Sequence, residues 1–152
     1  MDILPYSDQY AGDVRELVVQ FFNEALSEFG IAFNEEALNS TIALLKNQAS
    51  DGGYTGGFLA VKDGKAHGLI AGKDVTTPWS NDRIWHEVVW FMSEPHRKHG
   101  VKLLKEARKQ LKAEGFSAVV MVHMVNSKAE KLERLYKALG FVPMETNYIG
   151  RL

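Results

Sequence analysis

The stretch RIWHEVVWFM, residues 83–92, sets one carboxylate, Glu87, in a run of aromatic and β-branched side chains. A carboxylate withdrawn from water holds its proton more tightly, so its pKa rises toward the range where a general base works near neutral pH. The plainer alternative is a glutamate bonded to a neighbouring backbone group or an arginine. Directly downstream, EPHRKHGVKLLKEARKQLKAEG (94–115) bends at Pro95 and leads into an amphipathic helix whose wet side is almost all lysine and arginine. The amides of a helix's first turn have no intrahelical partners, and the helix dipole adds positive potential there, which suits a phosphate. Gly100 permits close approach of the backbone to a ligand. Arg97, Lys98 and Lys102 add cationic contacts. Taken alone, Arg-x-x-Gly is equally the signature of an ordinary strand–helix loop before a solvated basic helix.

The histidines add less. His86 alternates away from Glu87 along the strand and reads as packing or a hydrogen bond. His123 lies on another inner strand and is a candidate to line a site; His96 and His99 belong to the basic turn. No His and carboxylate set has metal-ligand spacing, so no metal is expected.

These residues need elements to hold them. Met1 to Tyr6 reads as an edge strand or lead-in. Ser7 or Asp8 caps a helix with apolar positions Val14, Leu17, Val18, Phe21, Ala25, Leu26 and Phe29, ended by Gly30. Asn34 caps a second helix, with Glu35 and Glu36 in its first turn and Leu38, Ile42 and Leu45 as its buried stripe. Residues 50–57, SDGGYTGG, read as a loop. FLAV (58–61) and HGLIAG (67–72) form a hairpin around Asp63-Gly64. Strand 83–92 puts Trp85, Glu87, Val89 and Phe91 on one face and Ile84, His86, Val88, Trp90 and Met92 on the other. With both faces mainly apolar, it reads as a central strand.

The third helix runs from about Gly100 to Glu114 and stops at Gly115. AVVMVHMV (118–125) is a buried strand. Ser127 caps a fourth helix with Ala129, Leu132, Leu135, Tyr136 and Leu139 inward and Gly140 at its end. FVPMETNYIGRL closes with one or two short strands. The order β–α–α–β–β–β–α–β–α–β implies a single mixed α/β sheet with helices on its faces. No linker divides residues 1–152, so one domain is expected.

Composition bounds the function. The 152 residues are 45% hydrophobic, enough for a layered core, and include no cysteine, which removes disulfides and thiolate metal sites. MDILPYSDQY lacks the features of a signal peptide, and no apolar run approaches the roughly 18 residues a membrane span needs. A soluble cytoplasmic protein is expected, with no membrane partner. The net charge of -1 hides an asymmetry: residues 1–51 carry nine acidic and two basic side chains, and residues 52–152 carry ten acidic and sixteen basic. Either solvated helix faces simply differ in sign, or two regions face ligands of opposite charge. A nucleic-acid partner is not expected, because no aromatic is interleaved in the basic helix and the acidic half repels phosphate.

Arg97-Lys98-His99-Gly100-Val101-Lys102 between a central strand and a helix resembles the acetyl-CoA loop, Arg/Gln-x-x-Gly-x-Gly/Ala, of the GNAT superfamily of N-acetyltransferases. ERLYKALGFVP (133–143) is similar to that family's Leu-Tyr-x-x-x-Gly-Phe helix end, and ETNYIGRL looks like the ends of small bacterial and phage members. The resemblance covers nearly the whole chain. It departs at Lys102, where the family has a small residue, and at Ala129, where a helix Asn is frequent; Asn126 sits about one turn earlier.

The resemblance implies the GNAT fold, a mixed, mostly antiparallel sheet with helices on both faces, and acetyl-CoA as cosubstrate. It implies a V-shaped opening between the strand ending near Met92 and strand 118–125. There the main chain of Phe91, Met92 and Ser93 would pair with pantetheine, and amides from Arg97 through Lys102 would hold the pyrophosphate, with Asn126 nearby. The basic stripe Lys102, Lys105, Lys109 and Lys112 would steer the anionic cofactor. Glu87 would be the general base, acting through water, and Tyr136 the general acid toward the CoA sulfur; otherwise Tyr136 is a core tyrosine. The early acidic helices would wall an acceptor site for a cationic amine, whether a small molecule or a protein lysine, with Asp51 and the glycine loop 52–57 as a rim. Homodimerisation is plausible by the same analogy. The rival is a degenerate relative that keeps the fold and acts by binding.

Overall fold

The computed structural model describes residues 1–45, 54–150 and 152. Asp51 and residues 52–53 of the expected rim lie outside them. The strands are β1 (Asp2–Pro5), β2 (Tyr54–Lys62), β3 (Lys65–Thr76), β4 (Arg83–Met92) and β5 (Ala118–Val120), and the helices α1 (Ala11–Phe21), α2 (Glu35–Leu44), α3 (Gly100–Ala113) and α4 (Ala129–Ala138). One sheet runs in the order β1-β2-β3-β4-β5, antiparallel until β4 pairs parallel with β5.

Local chemistry explains most boundaries. Asp63 and Gly64 both take positive φ, 52° and 75°, so a two-residue turn joins β2 to β3 with the twist a hairpin needs. The Asn34 side chain accepts from the Ala37 amide at 2.8 Å and starts α2 as expected. Tyr54–Gly57, expected as loop, instead extend β2; a register shift between Tyr54 and Gly57 absorbs the glycines. The Tyr6 amide donates to the Gly57 carbonyl at 2.7 Å.

Two apolar clusters flank the sheet. Val14 and Leu17 of α1, with Leu38 and Ile42 of α2, cover Leu59, Leu69, Val89 and Phe91. On the other face Leu103, Leu104, Ala107 and Leu111 of α3 cover Phe58, Ile70, Trp85 and Met92, joined by Tyr136 of α4. The first helix is not uniform. After Phe21 it widens into a π-helical turn, Phe22–Leu26, and tightens into a 3-10 turn, Ser27–Phe29, before Gly30 ends it at φ 66°.

Strand β4 departs from simple alternation. Ala71 faces Val89 but Gly72 faces Glu87, leaving Val88 as an extra residue. This bulge reverses the side-chain alternation. Trp85 therefore packs with α3, whereas Val89 and Phe91 pack with α1 and α2. The single face expected for Trp85, Glu87, Val89 and Phe91 is thus split at Val88.

The other corrections lie near the C-terminus. Strand 118–125 shrinks to 118–120, held at its start because the Ser117 amide donates to the Arg83 carbonyl at 2.9 Å. Arg83 is itself fixed by the buried Asp74 carboxylate at 2.9 and 3.0 Å and by the Glu114 carbonyl at 2.8 Å. Ser127 does not cap α4: the residue before the helix is Lys128, at φ 50°, with no side-chain cap bond. Among the described residues no strand follows α4, and Val142, Met144 and Tyr148 stay exposed. No helix there is long and apolar enough to cross a membrane.

Candidate active site

β4 and β5 are paired only through Ile84–Ala118, Trp85–Val119 and His86–Val120. Beyond those three pairs β4 continues to Met92 on β3 alone, while residues 121–124 form no strand. The two chains part, as the expected opening requires. Just past the last pair, the Val122 amide donates to Oε2 of Glu87 at 3.0 Å, and the Val122 carbonyl accepts from the Tyr136 hydroxyl at 2.9 Å.

Glu87 and Tyr136 are thereby brought together, from the middle of β4 and the inner face of α4. The Glu87 carboxylate is buried, at 6% exposure, and burial raises its pKa to about 7, against a smaller lowering by the Val122 N–H. Half its protons are off near neutral pH, as a general base requires. The bond to a backbone amide that was the plainer reading of this glutamate is present too. Tyr136 is buried, and burial together with the nearby Glu87 charge pushes its pKa well up. Its ring lies 6.1 Å from Trp90, 5.5 Å from Phe141 and 6.3 Å from His123, stacked at 19°. His123 does line this region; Nδ1 of His86 lies 3.0 Å from the Glu87 carbonyl, a local bond.

The expected cofactor residues form a second group at the end of β4. Phe91 and Met92 are buried, and the Ser93 amide donates to the His67 carbonyl at 2.9 Å. The turn that follows is itself helical: Glu94–His99 form a 3-10 segment running into α3, and the Gly100 amide donates to the Arg97 carbonyl. Gly100 is buried, and a Cβ there would lie 3.4 Å from Met92 Cγ and Trp90 Cζ2.

Three of the expected contacts already have partners. Arg97 donates to Glu24 Oε2 at 2.7 Å, Lys102 to the Met1 carbonyl at 2.7 Å, and Asn126 to the Ala25 carbonyl at 3.1 Å and to the Glu28 carboxylate. Lys98 is exposed, and His99 and Val101 are half-buried.

Two buried polar atoms, Trp90 Nε1 and Ser93 Oγ, have no hydrogen-bond partner among the described residues. Ser93 was a sequence candidate; Trp90 was not. Val122 was missed because its contribution is main-chain only.

A cleft of about 1530 Å³ lies between α3, β5, α4 and the C-terminal segment, and Val122 is among the residues that line it. Tyr136 and His123 line it, and so do Lys105, Lys109 and Lys112 of the basic stripe, but Phe91–Ser93 and the 97–102 turn do not. No group of three or more His, Cys, Asp or Glu among the described residues is arranged for a metal.

Comparison with known proteins agrees with this architecture. Residues 18–141 match the acetyltransferase (GNAT) family. No curated protein matches the chain. Similar solved structures include a ribosomal-protein-alanine N-acetyltransferase from Brucella melitensis biovar Abortus 2308, 16% identical over 100% of both chains with a TM-score of 0.71. AAC(6')-Iy in complex with the bisubstrate analog CoA-S-monomethyl-acetylneamine is 17% identical, over 99% of this chain and 97% of that one, at 0.73. An aminoglycoside acetyltransferase from an uncultured soil metagenomic sample, in complex with sisomicin, is 16% identical over 99% and 96%, at 0.67. At these identities the likeness is one of fold.

Proposed function

The chain belongs to the acetyltransferase (GNAT) family, and on that premise we propose that it moves an acetyl group from acetyl-CoA to a primary amine by direct attack. The observation that carries this reading is the meeting of Glu87 and Tyr136 on the main chain of one residue, Val122, just past the last pairing of β4 with β5. A thiol arm laid in the split would bring its thioester alongside Val122, with Phe91 to Ser93 and the 97–102 turn along the rest of the cofactor. The end of the β4–β5 pairing at His86 and Val120 supports this placement.

Glu87, through a water, removes a proton from the ammonium form of the acceptor. The free amine attacks the thioester carbonyl, the C–S bond breaks, and the sulfur leaves with the electron pair and takes the Tyr136 proton. The nitrogen's surplus proton restores the tyrosine, so the products are the amide, free CoA and one proton, which Glu87 releases to solvent. The acceptor is a cationic amine, of a small molecule or a protein lysine. Glu24, Glu28, Glu35 and Glu36 stand on the α1–α2 side, though Arg97, Asn126 and Arg15 already engage the first three. The absence of cysteine suits the cytoplasm.

One observation favours a binding protein without turnover: Arg97, Lys102 and Asn126 are all tied to the chain itself. Calorimetry with acetyl-CoA, followed by release of free CoA across a panel of amines that includes protein lysines, separates the two. Turnover that falls in Glu87→Gln and Tyr136→Phe with cofactor affinity unchanged supports the enzyme. Binding without turnover supports the rival, and loss of binding in either variant makes these residues structural.

A further inference from the structure

We infer that the end of the sheet where the β2–β3 hairpin meets the 94–99 turn is a proton-linked subsite for a phosphate monoester, built by Lys62, His67, His96, Lys98 and His99. The 3′-phosphate of CoA is the source that the proposed function supplies, and to that extent the inference rests on that reading. The response of the site to phosphate is measurable without it.

The backbone brings the histidines together. Ala60 faces Gly68 while Val61 faces Ala66, so His67 is an extra residue in β3, and such a bulge re-aims its side chain. The His67 ring lies 4.1 Å from the His96 ring, and the His99 ring lies 6.5 Å from that of His96. The Ser93 amide donates to the His67 carbonyl and fixes the hairpin to the turn. Lys102 of α3 reaches the Met1 carbonyl at 2.7 Å on the same side. The three imidazoles are not arranged for a metal.

Positive charge gathers here with little to offset it. His96 holds its proton less tightly than a free imidazole, first because it is withdrawn from water and then because His67, Lys62, His99 and Lys98 surround it. His99 is lowered in the same way, with Lys98, the Met1 amino group, Lys102 and Lys62 as its neighbours. Asp63 approaches Lys62 only to 3.9 Å, with both side chains well exposed. Asp2 and Glu94 are exposed. Lys65 and Arg97 turn away to Glu16 and Glu24. A phosphate dianion among these groups reverses the field and favours the imidazolium forms, so binding takes up protons. A phosphate entering a cationic site gives up its own last proton instead of gaining one. The sign of the proton count therefore identifies the histidines.

Calorimetry of CoA and of dephospho-CoA, which lacks the 3′-phosphate, in buffers of different ionisation enthalpy reads that count. CoA is expected to take up protons at pH 7 and to bind about three- to tenfold more tightly at pH 6.5 than at pH 8, with dephospho-CoA showing neither effect. Lys62→Gln and the double substitution His67→Gln/His96→Gln lie outside the 97–102 turn. Each should weaken CoA toward dephospho-CoA, and the double variant should lose the proton uptake. An equal pH response for the two ligands, or a double variant that binds CoA with wild-type affinity and uptake, would overturn the subsite.

NMR of the His96 and His99 ring protons in the wild type, with CoA or inorganic phosphate added against sodium chloride of equal ionic strength, keeps the inference testable if the variants do not fold. Both midpoints are expected to rise. Midpoints that stay where chloride leaves them, with CoA and with phosphate alike, overturn the subsite. If CoA does not bind but phosphate raises the midpoints, the subsite stands and the acetyl-CoA reading fails.

Discussion

The Arg97 guanidinium donates to the Glu24 carboxylate at 2.7 Å, joining the turn before α3 to the π-helical turn that leaves α1. Asn126, beyond β5, reaches the same segment through Ala25 and Glu28. One strap therefore engages residues that follow each of the two diverging strands, and a pyrophosphate bound as proposed would compete with Glu24 for Arg97. The pair is partly exposed, and such pairs contribute about 0–1 kcal/mol. Glu24→Gln is accordingly expected to tighten CoA binding up to about fivefold, read by calorimetry at fixed ionic strength. Weaker binding would mean that the Glu24–Arg97 pair builds the site.

Glu87 sets the pH dependence of the proposed reaction. Its carboxyl titrates at about 7 because it is buried, so kcat/KM should climb through that pH and level off above it. Glu87→Gln should lower kcat/KM by roughly 100-fold or more and flatten the limb. Stopped turnover assays from pH 5.5 to 9 check both. A limb that persists in the variant would assign it to another group, His123 being the neighbour to examine next.

The same burial has a consequence for folding, with a definite sign. The folded state holds the Glu87 proton more tightly than the unfolded chain, whose carboxyl titrates near 4.5. The stabilisation is fully present below the unfolded value and is lost as pH rises through about 7. Between pH 4.5 and 8 the wild type should lose on the order of 3 kcal/mol relative to Glu87→Gln. Urea unfolding of both proteins at the two pH values isolates this difference from other titrating groups. An equal pH response in the two would mean that water reaches the carboxylate.

What the sequence made legible follows a physical line. Asn34 as a cap, Asp63-Gly64 as a hairpin turn, Gly30 and Gly140 as helix ends and the inner stripe of α3 are local, and local rules found them. Glu87 was legible because a carboxylate in an aromatic strand is conspicuous, and Tyr136 through the family motif around it. The bulge at Val88 was hidden: alternation counting has no term for an extra residue fixed by the pairing of β3 with β4. Partners far apart in sequence, such as Glu24 with Arg97, leave no local pattern. Val122 makes its contacts through main-chain N–H and C=O, which nearly every residue possesses, and so no residue type announces it.

Gly72 offers a test of how the bulge holds Glu87 in place. It pairs with Glu87 across the sheet, and the Trp85 ring lies over it. A Cβ at Gly72 would stand 2.4 Å from the His86 carbonyl oxygen and 2.7 Å from Trp85 Cε2 and Cζ2. The first obstacle is backbone and the second is a fully buried indole, so neither yields cheaply. Gly72→Ala is therefore expected to cost about 3 kcal/mol, lowering Tm by roughly 6–12 °C. In α1, Gly12 has nothing within 4 Å of a Cβ, and Gly12→Ala should instead gain up to about 1 kcal/mol. Thermal melts of the pair read out the contrast. If Gly72→Ala folds, displacement of β4 should move the Glu87 midpoint as well, because the carboxylate then loses its alignment with the Val122 amide. A stable variant with an unchanged midpoint would show that strand β4 is not what fixes the base.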